Sequence, residues 1–404
     1  MVESQVAVFV VLLMAAAAVA VLVKLIPIPY VTALALIGAL AGVVLHGPAP
    51  LHLTRSFILF VLLPGLLFEA GFNLDWRELR ESLPPVLVLA TVGVLLTAAL
   101  IALIGRIVLG LALPVAFLLG AMLAATDPVA VVAMFRRLGV PARLATIVEA
   151  ESLVNDGTGV VLFTIALGIT LSGNFEPVGA ILRFLQLTLG GAALGFGVGF
   201  VLSRLTLRVD DPQVEITFTA IAAYGSYLLG EALHVSGILA VVAAALIMGS
   251  YGRTRGMSER TQTAVSAFWD YVAFVLNSLV FLLVGLELPW TGILEHGWAV
   301  LAAAGITLLA RAISVYGVLG LLRPLGPRLS WRWQHLMVWS GLRGAVAIAL
   351  ALSLGEQTAG DFPLLRTLVY GVVLLSIVVQ GLTIGPLSRA LLKPDAIDVG
   401  DRGP

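Results

Sequence analysis

The chain has 404 residues, 60% of them hydrophobic and only 11% charged, with 23 Lys+Arg against 23 Asp+Glu. So little charge cannot cover a water-soluble protein of this length, and the even balance leaves no basic footprint for nucleic acid. Cysteine is absent, which removes disulfides, iron–sulfur clusters and thiolate metal sites, and the five His lack metal-ligand spacing.

Mean hydropathy is +1.08, and apolar runs of about 17–25 residues, long enough to cross a bilayer as helices, recur from end to end. They predict an all-α polytopic membrane protein of about thirteen spans, at 5–23, 30–46, 56–73, 84–105, 113–135, 144–171, 178–203, 214–232, 236–250, 264–288, 293–320, 334–354 and 364–391. The opening "MVESQVAVFV" lacks the basic lead of a cleaved signal peptide, so the first run reads as a retained span. The connections are short and none is a soluble domain; after the last span, "LKPDAIDVGDRGP" reads as a short end without a regulatory tail. With the N-terminus outside, 17 basic residues fall on cytoplasmic segments and 3 on outer ones, while Arg183, Arg311 and Arg343 fall within spans. That positive-inside bias predicts an outside N-terminus, a cytoplasmic C-terminus and an odd number of spans.

The third span carries Glu69 in "LLPGLLFEAG". The fifth contains "ATDPVAVV". Pro128 removes a backbone donor and disfavours helix at Asp127, so the helix is expected to open at Thr126–Asp127. Free backbone groups at that depth are tolerated only beside protein or a water-filled cavity. There Thr126 can offer oxygen to a cation; the plainer role for Asp127 is a helix cap at a proline kink.

The sixth span, "EAESLVNDGTGVV", is the most polar. Ser152 and Asp156 are four residues apart and share one helical face; Glu151 and Asn155 share the neighbouring face. The first pair suits a hard monovalent cation, which prefers oxygen ligands, and the second needs a positive partner. Glu149, one turn nearer the cytoplasmic end, reads as solvated. "GGAALGFGVGF" in the seventh span reads as a helix-packing face, since it follows no strand and so is no nucleotide loop. Asp270 and Glu287 sit near span ends and read as interfacial.

Arg311 lies in the regular eleventh span, "ITLLARAISVYGV", and Arg343 in the twelfth, "SGLRGAV". Arg311 is assigned to Glu151 as a buried ion pair, and the swap that puts Arg343 on Glu151 stays open. "TDPVAVVAMF" and "LRGAVAIALA" both set a charge beside a helix breaker ahead of a small apolar run. If six spans repeat around one linker span, these two occupy matching positions in halves of opposite orientation. That is the sequence pointer to a transport site built on two inverted six-helix repeats with crossed discontinuous helices. Asp127 would then balance helix N-termini and Arg343 helix C-termini. No Ser/His/Asp arrangement suggests hydrolysis, so no enzyme is expected.

"ATDPVAV", "EAESLVNDGTGVVL", "FVLNSLVFLLVGLEL" at 274–288, "GLRGAVAIALAL" at 341–352 and "LLPGLLFEAG" at 62–71 together resemble the NhaP/NHE-type sodium/proton antiporters of the monovalent cation:proton antiporter superfamily. Motif order and span number agree over the whole length. The resemblance implies a homodimer in a bacterial inner membrane, in contact with lipid and small monovalent cations and needing no cofactor beyond the transported Na+ and H+. It implies dimerisation helices at 1–83 and 213–290, a core at 84–173 and 291–404, and a linker helix at 174–212. It makes Asp156 the central cation and proton carboxylate, with Asp127, Thr126, Ser152 and Glu69 completing the monovalent-cation site. Glu151, Asn155 and Arg311 become a supporting network. The family's electrogenic branch has two adjacent Asp where this chain has Asn155–Asp156, which implies electroneutral one-for-one exchange of sodium or lithium for protons.

Potassium/proton exchange on the same scaffold is the nearest alternative, because ligand types do not separate the cations. A cation channel would call for a carbonyl filter or a ring of charges, and neither is visible. A sensor that kept the fold would need something to pass a signal on, and no regulatory tail is expected.

Overall fold

A computed structural model describes residues 2–26, 28–45, 54–322, 329–354 and 362–392. Arg323, Arg328, Lys393 and Arg402, four of the basic residues behind the expected orientation, lie outside them. All regular structure among the described residues is helical. In chain order the helices are α1 (Val2–Leu22), α2 (Tyr30–Leu45), α3 (Arg55–Asn73), α4 (Trp76–Leu109), α5 (Leu113–Ala124), α6 (Val129–Leu138), α7 (Ala142–Ser172) and α8 (Pro177–Thr206). They continue with α9 (212–232), α10 (Gly237–Gly256), α11 (Glu259–Leu286), α12 (Trp290–Glu295), α13 (Gly297–Leu322), α14 (Trp331–Trp339), α15 (Ala345–Leu352) and α16 (Phe362–Leu391).

Among the described residues, nine stretches are long and apolar enough to cross a bilayer: α3, α4, α5–α6 taken together, α7, α8, α10, α11, α13 and α16. Shorter apolar helices run over Ala7–Leu22 and Tyr30–Val44. The two remaining expected ranges are helical but interrupted: 214–232 by a π turn at Ile221–Gly225, and 334–354 by a non-helical stretch between α14 and α15.

Local chemistry sets the helix ends. Asp75 accepts from the backbone N–H groups of Arg77 (2.8 Å) and Glu78 (3.4 Å) at the start of α4, and Asp211 does the same for Gln213 (2.9 Å) and Val214 (3.1 Å) at the start of α9. Four further π turns, at Ile58–Leu62, Leu89–Gly93, Met248–Gly252 and Ser376–Gln380, lie inside α3, α4, α10 and α16. Such bulges redirect backbone groups, and two of them are used in packing: the Gly93 carbonyl accepts from Ser314 of α13 at 2.8 Å, and Ser376 sits under Arg343.

The helices pack as two sets. In the first, α2 lies along α11, with Gly38 so close that a Cβ there would overlap the Leu282 carbonyl, and the Tyr30 hydroxyl meets Ser278 Oγ at 2.7 Å. α8 meets α10 through Gly191, Gly195 and Gly199, which lie against Ser236, Ala240 and Ala244. Small residues four apart permit this approach in a membrane, where dispersion contacts rather than water exclusion drive association. α1, α3 and α9 complete this set. In the second set, α4 packs on α5 and α13, α7 on α5 and α4, and α16 on α13 and α15. α3 and α10 of the first set touch α7 of the second, and the site lies at that seam.

Candidate functional site

Two helices break where the sequence predicts it. α5 ends at Ala124, residues 125–128 lie outside any helix, and α6 begins at Val129; α14 ends at Trp339 and α15 begins at Ala345 after a non-helical stretch. The two breaks meet: the Asp127 N–H donates to the Leu342 carbonyl at 2.8 Å. The Asp127 carboxylate accepts from the Val129 N–H at 3.1 Å and from the Ala345 N–H, so it faces the N-terminal ends of α6 and α15. Arg343 does the converse, its Nη1 donating to the carbonyls of Ala124 (2.9 Å) and Ala125 (2.8 Å) at the end of α5. Its own N–H is held by Ser376 Oγ at 3.0 Å. Each buried charge therefore lies against helix ends of opposite partial charge. Gly344 is required at this contact, because a Cβ there would overlap the Asp127 carboxylate.

α7 runs unbroken past the first break and clamps it. Asn155 Nδ2 donates to Thr126 Oγ1 at 2.8 Å, and the Thr126 N–H donates to Asn155 Oδ1 at 3.1 Å. The hydroxyls of Thr126 and Ser152 are 2.7 Å apart. The non-helical backbone at Thr126 thus finds in one amide the partner that a continuous helix would have supplied. Asn155 Nδ2 also reaches Glu151 Oε1 at 3.5 Å.

Of the two arginines open to Glu151, Arg311 makes the pair. Its Nη1 and Nη2 donate to the two carboxylate oxygens at 2.5 Å and 2.7 Å, and Nη2 also to the Met337 carbonyl at 3.3 Å. Side-chain exposure is 5% for Arg311 and 1% for Glu151. This bidentate geometry is the strong form of a carboxylate–guanidinium contact. With Arg343 committed to the end of α5, neither guanidinium neutralises Asp156.

Asp156 lines a cavity of about 60 Å³ together with Thr126, Asp127 and Asn277. Leu63, Leu66, Leu67 and Ala70 of α3, with Val129 and Leu153, supply apolar wall. Asp156 is 9% exposed, and its carboxylate has no hydrogen-bond partner among the described residues. Two carboxylates thus face one partly open space with room for a few waters, an arrangement that calls for a neutralising cation or proton.

Two sequence-predicted residues sit differently from the others. Ser152 is not on the cavity wall; its hydroxyl lies behind Thr126. Glu69 is not on the wall either, although Ala70 and Leu66 beside it are; its carboxylate accepts from Asn73 Nδ2 at 2.9 Å. Glu149, read as solvated, is only 13% exposed and pairs with Arg136 at 3.5 Å. The cause is that α6 ends in two arginines about two turns from the break and delivers the first of them to α7. Asn277 of α11 was not singled out in the sequence; a lone amide in an apolar helix carries no spacing signal.

Residues 9–390 match the family described as "Sodium/hydrogen exchanger, transmembrane". The chain is 42% identical over 361 residues to the Na(+)/H(+) antiporter ApNhaP of Aphanothece halophytica, covering 88% of this chain and 68% of that protein. It is 37% identical over 381 residues to the Na(+)/H(+) antiporter NhaH of Halobacillus dabanensis, covering 91% and 93%. The fold is similar to the solved structure of the sodium proton antiporter MjNhaP1 from Methanocaldococcus jannaschii, with a TM-score of 0.80 at 21% identity over 97% of this chain and 99% of that one. The protein is therefore a multi-pass membrane protein of the NhaP type, a member of the sodium/hydrogen exchanger family.

Proposed function

We propose that this protein exchanges sodium, or lithium, for protons, one for one, with cation and proton taking turns at Asp156. The observation that carries this reading is the Asp156 carboxylate: on a buried residue, without a protein partner among the described residues, and facing a cavity that also holds Asp127 and Thr126. The monovalent cation is held by Asp156 and Asp127, with Thr126 supplying a hydroxyl oxygen, Ser152 holding that hydroxyl from behind and Glu69 standing off the wall. Glu151, Asn155 and Arg311 keep the broken helix in place. Arg343 balances the helix C-terminus as Asp127 balances the N-termini.

Exchange without leak follows from charge. A site left empty with its carboxylates ionised is costly to carry past apolar walls, because burying unpaired charge in a membrane is strongly unfavourable. Loading with either a cation or a proton lowers that cost, so the loaded forms cross. Asn155 is neutral and its amide is engaged with Thr126, which supports an electroneutral cycle: no second carboxylate stands beside Asp156 on α7.

In the same reading, residues 84–173 and 291–404 move as a core against a scaffold of residues 1–83 and 213–290, with the helix at 174–212 as linker. The protein works as a homodimer in a bacterial inner membrane, with its N-terminus outside and its C-terminus cytoplasmic.

The test uses purified protein in proteoliposomes with an acidic lumen. Sodium added outside should alkalinise the lumen rapidly, at a rate independent of clamped membrane voltage, and Asp156→Asn should abolish the response. Full activity in that variant would remove Asp156 from the centre. A rate that follows voltage would overturn one-for-one exchange, and a response to potassium alone would change the substrate.

A further inference from the structure

The cavity has two kinds of wall. Thr126, Asp127 and Asp156 come from the helix set that contains both breaks, whereas α3 and α11 of the other set contribute Leu63, Leu66, Leu67, Ala70 and one polar residue, Asn277. The Asn277 side chain is half-buried and has no hydrogen-bond partner among the described residues. It interrupts a run, "FVLNSLVFLLVGL", that is otherwise almost wholly apolar. An unpartnered amide in such a helix is unfavourable unless something polar meets it.

Its orientation is not incidental. Ser278, the next residue, bonds to Tyr30 of α2 at 2.7 Å, and Leu282 and Gly285 on the same side of α11 lie against Gly38. That face is clamped to α2, and one residue is about 100° of helical rotation, which turns Asn277 to the cavity. Asp156 faces the same space, also without a partner. Two uncompensated polar groups around one small cavity point to a ligand they share.

We propose that Asn277 supplies an amide oxygen to the cation held at Asp156, from the scaffold side of the cavity. A hard cation accepts amide carbonyl oxygen as readily as carboxylate or hydroxyl oxygen. Asn277 thereby sets cation affinity at the point where core and scaffold meet. The inference rests on the exchange reading above.

The test measures apparent sodium KM and maximal exchange rate in proteoliposomes for wild type, Asn277→Ala and Asn277→Asp, together with the rise in melting temperature each shows on adding sodium. Loss of a ligand oxygen in N277A should raise KM about tenfold while the rate at saturating sodium stays within about twofold, and should shrink the sodium-induced stabilisation. N277D, which keeps an oxygen at the same reach, should return KM to the wild-type value or below. If N277A fails to fold, N277D and Asn277→Ser decide: KM should rise in the serine variant, whose oxygen falls short, and not in the aspartate. An N277A protein with wild-type KM, or variants that all lose rate at unchanged KM, would overturn the proposal and leave exchange at Asp156 standing. Wild-type protein that moves no protons on a sodium pulse would overturn the exchange reading and this inference with it.

Discussion

Asn155 makes three of the site's hydrogen bonds and ties α7 to the first break. Its amide donates to Thr126 and to Glu151 and accepts from the Thr126 backbone. An aspartate there loses the donor and sets a second carboxylate beside Glu151. Asn155→Asp should therefore lower thermal stability by about 1–3 kcal/mol, the cost of leaving buried polar groups unsatisfied, and lower exchange, both read from melting curves and proteoliposome flux. Full-rate exchange that had merely become voltage-driven would show that the clamp on Thr126 is dispensable. Gly344→Ala makes a sharper case. The added methyl must displace the Asp127 carboxylate, and a displacement of about 1 Å is enough to cost on the order of 100-fold in rate. Flux should collapse while the protein still folds; a near wild-type rate would mean that Asp127 has slack. Spacing on α7 had separated the Ser152–Asp156 face from the Glu151–Asn155 face. It could not show that the Ser152 hydroxyl turns to Thr126 rather than to the cavity, because side-chain rotation answers to neighbours on other helices.

At the scale of elements, the breaks and the ion pair behind them stand out. Arg311 joins α13 to α7 across 160 residues of sequence, and Ser314, one turn further on, ties the same helix to the π turn of α4. Removing one partner of a buried pair typically costs about 3–5 kcal/mol, whereas replacing both with apolar residues is often neutral or better. Arg311→Met should destabilise strongly, and Arg311→Met combined with Glu151→Leu should recover most of the melting temperature. A double variant no more stable than the single one would show that Arg311 works mainly through the Met337 carbonyl. The breaks themselves were legible, because Pro128 and the glycines at 341 and 344 act on their own backbone. Their meeting was legible only as a symmetry argument, since the bond from Asp127 to Leu342 depends on how two distant helices dock.

For the whole molecule, the two helix sets meet around the cavity, with Leu66 of α3 on one side and Val129 of α6 on the other. The chain has no cysteine, so Leu66→Cys with Val129→Cys can be cross-linked by a short bifunctional thiol reagent without competing sites. Cross-linked protein should stop exchanging while each single variant treated alike keeps its rate; undiminished flux would rule out relative motion of the two sets at this seam. What the sequence determined by itself was local in origin: membrane residence from hydropathy, helices from the length of apolar runs, breaks from proline and glycine, and shared faces from the 3.6-residue period. The tertiary structure alone decided that Arg311 rather than Arg343 holds Glu151, that Glu149 is covered by Arg136, that Glu69 stands off the cavity wall and that Asn277 stands on it. Each of these depends on the rotation of a helix about its own axis and on the neighbour it packs against, and no short window of sequence carries that information.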